Sequence, residues 1–248
     1  MYHFFVAPDS IVDKTITIAG KDVNHIKNVL RLKPGEEISV NIEGSEAEYR
    51  CIIKEFTKDT VICDLAFIKE EGNELPSKIF LFQGLPKSDK FETIIQKSVE
   101  LGVFEIVPVA MKRCVMKVDE KKVESKVTRW QSIAEAAAKQ SKRSVIPQVK
   151  APVSFKEAVK YAKECDVKLL PYELSDEKDP TKDILSSIVP GQSIAIFIGP
   201  EGGFDETEVT LAIENGFKTI TLGKRILRTE TAGPTLLSYI MLDMEINH

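Results

Sequence analysis

The 248 residues contain little of what metal centres and nucleophilic sites are made from. There are three histidines (His3, His25 and His248) and four cysteines (Cys51, Cys63, Cys114 and Cys165). The cysteines lie far apart with no Cys-x-x-Cys pair, so neither a zinc site nor a disulfide framework is indicated, and a reducing compartment suits them. No Gly-x-Ser-x-Gly elbow occurs, and no cysteine has a base close to it in sequence, which removes the usual signs of covalent catalysis. Two phosphate fingerprints are missing as well. There is no Gly-x-Gly-x-x-Gly, and Gly223-Lys224 is followed by Arg225 where a P-loop needs serine or threonine. No apolar run approaches the ~20 residues of a membrane span. The opening MYHFFVAPDS lacks the basic start and cleavage site of a secretory signal. Together these absences predict a soluble, cytoplasmic protein with no resident metal.

What is present is ordinary globular composition, 43% hydrophobic and 29% charged. Such a chain is long enough to fold without staples, and its length leans towards two domains. The net charge of -4 hides an uneven distribution. Residues 1–72 carry 9 Lys/Arg against 13 Asp/Glu, whereas residues 111–150 carry 11 against 4, a local +7. A basic stretch of this kind is either a solvated helix face or a phosphate-binding surface, and charge alone does not choose between them.

Periodicity divides the chain. Residues 15–19, 38–42, 49–55 and 60–68 are β-branched runs separated by turns at Gly20, Pro34-Gly35 and Gly44, which predicts a small β-barrel over residues 1–72. One helix is expected at 22–32, with Val23, Ile26, Val29 and Leu30 on one face. The polar 69–74 stretch reads as a linker. From Ile79 the pattern alternates strands with helices through residues 73–248, which predicts an α/β domain with a mostly parallel sheet. Its expected helices include one opening at Asp89 with Glu92 at the capping-box position and Gly102 at its end, and a long one over 120–140 with Trp130 on its apolar stripe. The apolar run 193–198 reads as a strand buried on both faces.

That strand runs into Gly199-Pro200-Glu201-Gly202-Gly203-Phe204, and Asp205 with Glu208 then opens a helix. A second strand, 219–222, runs into Gly223-Lys224-Arg225-Ile226-Leu227-Arg228-Thr229-Glu230-Thr231-Ala232. Open α/β sheets bind ligands at the carboxyl ends of their strands, and glycine there lets backbone approach a ligand closely. Two such loops are the strongest local sign of a site; tight turns are the alternative.

The two loop segments, IGPEGGFDETEV (198–209) and LGKRILRTETA (222–232), resemble the C-terminal motifs of the SPOUT methyltransferases. More narrowly, they are similar to the ribosomal RNA small subunit methyltransferase E family. HIKNVLRLKPGE (25–36), LPKSDKFETIIQKSVELGV (85–103) and RWQSIAEAAAKQSKR (129–143) agree, so the resemblance runs nearly end to end. It implies a PUA-like N-terminal β-barrel, a trefoil-knotted α/β domain and a homodimer. It also implies use of S-adenosyl-L-methionine to methylate N3 of one uridine near the decoding site of 16S rRNA. By the same resemblance the cofactor is expected at Leu170, Pro171, Tyr172, Ile198, Gly199, Pro200, Glu201, Gly202, Gly203, Leu222, Gly223, Ile226, Leu227, Arg228, Thr231 and Ala232. Arg228 becomes the candidate electrophile for the anion that develops on the uracil ring, with Glu230 as proton acceptor or as the group that orients Arg228. The RNA-binding candidates are His3, Arg31, Lys112, Arg113, Lys142 and Arg143. The chain departs from the family in having His3 where members often carry arginine, Lys224 where proline is common and Lys139 where glutamate is common. A ribose 2′-O-methyltransferase and a non-catalytic RNA-binding assembly factor are the alternatives.

Overall fold

Residues 1–70, 72–87, 89–116, 120–172 and 181–247 are described by the structure, a computed structural model. His248 lies outside them. The chain divides into two compact units, Met1–Glu74 with Ala138–Ile146, and Leu75–Ala137 with Pro147–His248. The return of 138–146 to the first unit is a feature the division at residue 72 did not include.

In the first unit, β1 (His3–Val6), β2 (Ile11–Val12), β3 (Thr15–Ala19), β4 (Glu37–Ile42), β5 (Glu48–Phe56) and β6 (Thr60–Lys69) form one sheet in the order β1-β4-β5-β6-β3-β2. Edge strands β1 and β2 do not pair among the described residues, so the expected barrel is an open, curled sheet. Bulges between β5 and β6 at Arg50/Cys51 and Ile53/Glu55 add local bend. Alternate residues point inward: Phe4, Ile16, Ile18, Ile38, Val40, Cys51, Ile53, Val61 and Cys63 make the core. Burial pushes the Cys51 and Cys63 thiols up to about 12, so they are packing groups with no thiolate to offer.

The helix expected at 22–32 is shorter. It consists of α1 (Lys21–Asn24) followed by a π-turn over His25–Val29, with Leu30 N–H donating to the His25 carbonyl at 2.9 Å. The wider turn moves Val29 off the apolar stripe and leaves it exposed, while Val23 and Ile26 stay in the core. The chain leaves this turn at Arg31, whose φ is +55°. The 69–74 stretch is likewise more than a linker. Glu74 accepts from the Arg143 guanidinium and from the Ser144 and Val145 backbone at 2.8 and 3.1 Å. Breaking one partner of such a buried pair costs about 3–5 kcal/mol, so Glu74 is a fixed point of this unit.

In the second unit every strand pairing is parallel. The strands are β7 (Lys78–Gly84), β8 (Glu105–Ala110), β9 (Gln148–Val149), β10 (Val153–Ser154), β11 (Val167–Pro171), β12 (Ser193–Ile198) and β13 (Lys218–Ile220). Their order is β10-β8-β7-β12-β11-β13, with β9 also on β8. The helices are α2 (Lys90–Glu100), α3 (Val123–Ser141, whose last turn belongs to the first unit), α4 (Phe155–Tyr161), α5 (Thr181–Ser186), α6 (Glu206–Glu214) and α7 (Thr229–Ile246). One face of the sheet carries a phenylalanine cluster in which Phe197 stacks on Phe82 at 4.4 Å and meets Phe217 edge-on at 4.6 Å. On the other face Gly233 of α7 lies against Ile198 and Leu81, each 3.6 Å from where a Cβ would sit, and α7 packs on α2.

The predicted caps divide. Asp205 and Glu208 form the reciprocal box at α6. Asp89 makes no side-chain cap at α2, and Glu92 pairs with Arg129, 2.8 Å from its Nε. Gly102 closes α2 at φ +88° as expected.

Candidate active site

The register of the sheet builds the site. Ile198 at the end of β12 lies opposite Gln83 at the end of β7, so the next residues, Gly199-Pro200 and Gly84, meet backbone to backbone. A Cβ on Gly84 would sit 2.6 Å from the Pro200 nitrogen and 2.7 Å from its Cδ. The 199–203 loop then folds into a turn with Gly203 N–H donating to the Pro200 carbonyl at 2.9 Å. Gly203 has φ +68°, and Gly223 on the facing loop has φ +98°. A Cβ on either would meet no atom within 4 Å, so both leave space open beside the loops.

Between the loops lies a cavity of about 1150 Å³. Its walls are Pro171 and Tyr172 at the end of β11, residues 198–204 at the end of β12 and beyond it, and residues 221–229 with Ala232 after β13. These are the carboxyl ends of three adjacent parallel strands, which is where open α/β sheets place ligands. Of the expected cofactor residues, Pro171, Tyr172, Ile198, Gly199, Pro200, Glu201, Gly202, Gly203, Leu222, Gly223, Ile226, Leu227, Arg228 and Ala232 line this cavity. Leu170 is wholly buried in the phenylalanine cluster behind it, and Thr231 faces solvent from the first turn of α7. Leu170 is therefore a support to the wall, and Thr231 lies outside the lining.

The sequence reading missed Lys90. Its Nζ lies on the cavity wall, 3.1 Å from Glu201 Oε1 and 3.3 Å from Glu230 Oε2. Its ion pair with Glu201, then that with Glu230, holds its pKa above the ordinary lysine value. Burial works to raise the Glu201 carboxyl, but backbone donors, including Lys87 N–H at 3.1 Å, and Lys90 outweigh it and the net shift is downward. Glu230 also faces Arg228, whose Nη1 is 4.0 Å away and whose side chain is 81% exposed at the cavity mouth. Lys90, Arg113, Lys224, Arg225 and Arg228 give the cavity a cationic rim, against Glu201 and Glu206 on its acidic side.

The RNA-binding candidates do not all survive. Arg143 is buried in its ion pair with Glu74 and offers nothing to a phosphate. His3 is also buried, with Nδ1 3.1 Å from Ser39 Oγ, and burial above all holds its pKa below the ordinary value. These two expectations are corrected: a count of basic residues could not see the acid and the core that absorb them. Lys139 makes a similar internal pair with Asp22 at 2.9 Å. Lys112 donates to Asp205 at 3.0 Å and to Thr207 at 2.6 Å, and Arg113 Nη1 donates to the Gly202 carbonyl at 3.2 Å. Arg31 and Lys142 stand exposed in the first unit with φ of +55° and +59°, a conformation uncommon outside glycine.

The Asp205 cap makes one pH dependence explicit. The Thr207 hydroxyl, then Lys112, hold its carboxyl at about 2 against an ordinary 3.8. A depressed pKa stabilises the fold above the unfolded value, and that contribution is lost as pH falls through the folded one. Amide protection of Thr207 and Glu208 should therefore fall between pH 3.8 and about 2, and Asp205→Asn should remove the step. Protection that stayed flat over that range would contradict the cap's role.

Comparison with known proteins decides the family. The family described as RNA methyltransferase domain matches residues 73–241, and that described as RNA methyltransferase PUA domain matches residues 18–66. The chain is 39% identical over 236 residues to the ribosomal RNA small subunit methyltransferase E of Bacillus subtilis, covering 94% of this chain and 91% of that one. The chain belongs to the ribosomal RNA small subunit methyltransferase E family. The Synechocystis member is 35% identical over 96% of this chain and 77% of its own. The crystal structure of the Neisseria gonorrhoeae family member bound to S-adenosyl methionine superposes with a TM-score of 0.84 at 32% identity, covering 98% and 97% of the two chains.

Geometry here fits the cofactor that the Neisseria methyltransferase E binds. Glycines hold both loops at positive φ with no atom within 4 Å of a built Cβ, and main-chain groups of the loops face a cavity of suitable size. Among the residues lining the cavity, Tyr172, Gly199 to Gly203, Leu222-Gly223 and Ile226-Leu227 could hold such a group. Among the described residues no group of three or more metal-ligating side chains occurs.

Proposed function

We propose that the protein methylates N3 of a uridine in the small-subunit 16S rRNA, using S-adenosylmethionine. The single observation that carries this reading is the cavity at three parallel strand ends with Arg228 exposed at its mouth. When bound, S-adenosylmethionine supplies an electrophilic methyl group carried on a sulfonium.

Uracil N3 must give its imide proton to solvent water before or as the N3–C bond forms, and until that bond is complete the negative charge left on the ring is shared by O2 and O4. The exposed Arg228 guanidinium can aim two N–H groups at one of those oxygens, so it acts by charge and position. Glu230 serves as the orienting group: its carboxylate is shared between Lys90 at 3.3 Å and Arg228 at 4.0 Å. Lys224 and Arg225 on the same rim, with Arg113, are placed to meet phosphates flanking the target. Arg31 and Lys142 are the first unit's candidates for RNA backbone, and Lys112 supports α6.

With the family we assign a trefoil-knotted second domain, a homodimer and work in the cytoplasm. Tyr239 and Leu242, exposed one turn apart on α7, suit burial against a second copy. The test is transfer of labelled methyl from S-adenosylmethionine to small subunits taken from cells that lack the gene. Label in the RNA at one site per subunit is expected; cofactor binding without transfer to any ribosomal RNA would favour a non-catalytic assembly factor.

A further inference from the structure

The connection from β7 to α2 touches both pocket loops at two separate points. At its buried end the Gln83 side chain, with no solvent exposure, donates from Nε2 to the Gly84 carbonyl at 3.0 Å and to Thr229 Oγ1 at 2.9 Å. Thr229 Oγ1 donates in turn to the Gly199 carbonyl at 2.6 Å. The polarity of this chain is determined. A carbonyl only accepts, so the threonine proton is spent on Gly199 and its oxygen must accept from the amide. At the exposed end Lys90 spans Glu201 and Glu230, while Lys87 N–H steadies Glu201. Gly199 and Glu201 belong to the first loop; Thr229 and Glu230 open α7. Each end therefore ties the same two elements together.

Packing does not call for either residue. Gln83 stands beside Leu81 and Ile198 on an otherwise apolar face, and its Oε1 has no hydrogen-bond partner among the described residues. An apolar side chain would fill that place without leaving an acceptor unmet. A buried polar chain is weak as a source of stability but strong in specifying one geometry. We propose that residues 83–90 form a two-point strap that sets the spacing of the two pocket loops, with Gln83 positioning the cofactor loop against α7 and Lys90 positioning Glu230 and, through it, Arg228. The proposal rests on the methyltransferase reading for its consequences, but not for its geometry.

The test uses the full chain with Gln83→Met, Lys90→Met and Lys90→Arg, read by amide hydrogen exchange, by calorimetric titration with S-adenosylmethionine and by kcat on small subunits. Losing one buried hydrogen-bond partner is expected to speed exchange in 199–203 and 228–232 and to weaken cofactor binding, each about 10-fold, in Gln83→Met. Lys90→Met should lower kcat about 10-fold with the cofactor Kd changed less than about 3-fold, and Lys90→Arg, able to span both carboxylates, should recover most of it. If Gln83→Met does not fold, Thr229→Val breaks the same chain at its other link. Unchanged exchange in both loops would overturn the strap. So would Lys90→Arg losing as much as Lys90→Met with protection falling throughout the unit, since that marks a structural role only. Faster loop exchange in variants of a wild-type protein that binds no S-adenosylmethionine would uphold the strap and sink the methyltransferase reading.

Discussion

Alanine at position 84 is expected to abolish measurable cofactor binding while leaving the first unit folded. The added methyl carbon would sit 2.6 Å from the Pro200 nitrogen, 2.7 Å from its Cδ and 3.0 Å from the Gly199 carbonyl carbon. All three belong to, or are locked to, the backbone of the first pocket loop, so no flexible side chain can give way. The strand pairing of Ile198 with Gln83 holds the two backbones in that register, and the loop is the part able to move. Overpacking of this kind costs about 1–3 kcal/mol of stability. Displacing the loop main chain should cost cofactor affinity at least about 100-fold, because several main-chain hydrogen bonds worth about 1 kcal/mol each would be lost together. Calorimetric titration with S-adenosylmethionine and a thermal melt measure the two effects. Wild-type affinity with the alanine in place would mean that the 199–203 loop does not hold the cofactor.

Arg228→Ala should have the opposite profile. The side chain is 81% exposed and its ion pair with Glu230 spans 4.0 Å, an interaction worth at most about 1 kcal/mol at a surface. Stability and cofactor Kd should stay close to wild type. The reaction rate should fall about 100- to 1000-fold, the usual loss when one preorganised donor to a developing anion is removed. Lysine at the same position keeps charge but loses the planar fork, and should recover only part of the rate. A Kd that rises as far as the rate falls would make Arg228 a cofactor residue with no separate part in the chemistry.

The residues that sequence could and could not reveal follow a physical line. The run Ser193–Ile198 reads as a doubly buried strand because it lies in the middle of a parallel sheet, and the glycines after it mark a strand-end loop. The Asp205–Glu208 box is local, and local spacing found it. The same spacing at Asp89–Glu92 makes no box: Asp89 does not cap, and Glu92 is paired with Arg129, 37 residues away. The helix at 22–32 was read with a uniform 3.6-residue period, which a π-turn breaks. Gly84 and Lys90 escaped for one reason: their importance comes from β7 lying beside β12, a neighbour relation between segments more than a hundred residues apart. Arg143 was misread from the other direction. Its positive charge is plain in the sequence, but the buried Glu74 that neutralises it is not.

The central claim is the atom that receives the methyl group. Small subunits from cells without the gene should be incubated with the purified protein and S-adenosylmethionine carrying a labelled methyl. The RNA would then be digested and the labelled nucleoside identified by mass spectrometry. A single labelled 3-methyluridine from 16S rRNA is the predicted result. Label on a ribose oxygen would contradict the assignment of Arg228 to a uracil anion, even with the fold and the cofactor site intact.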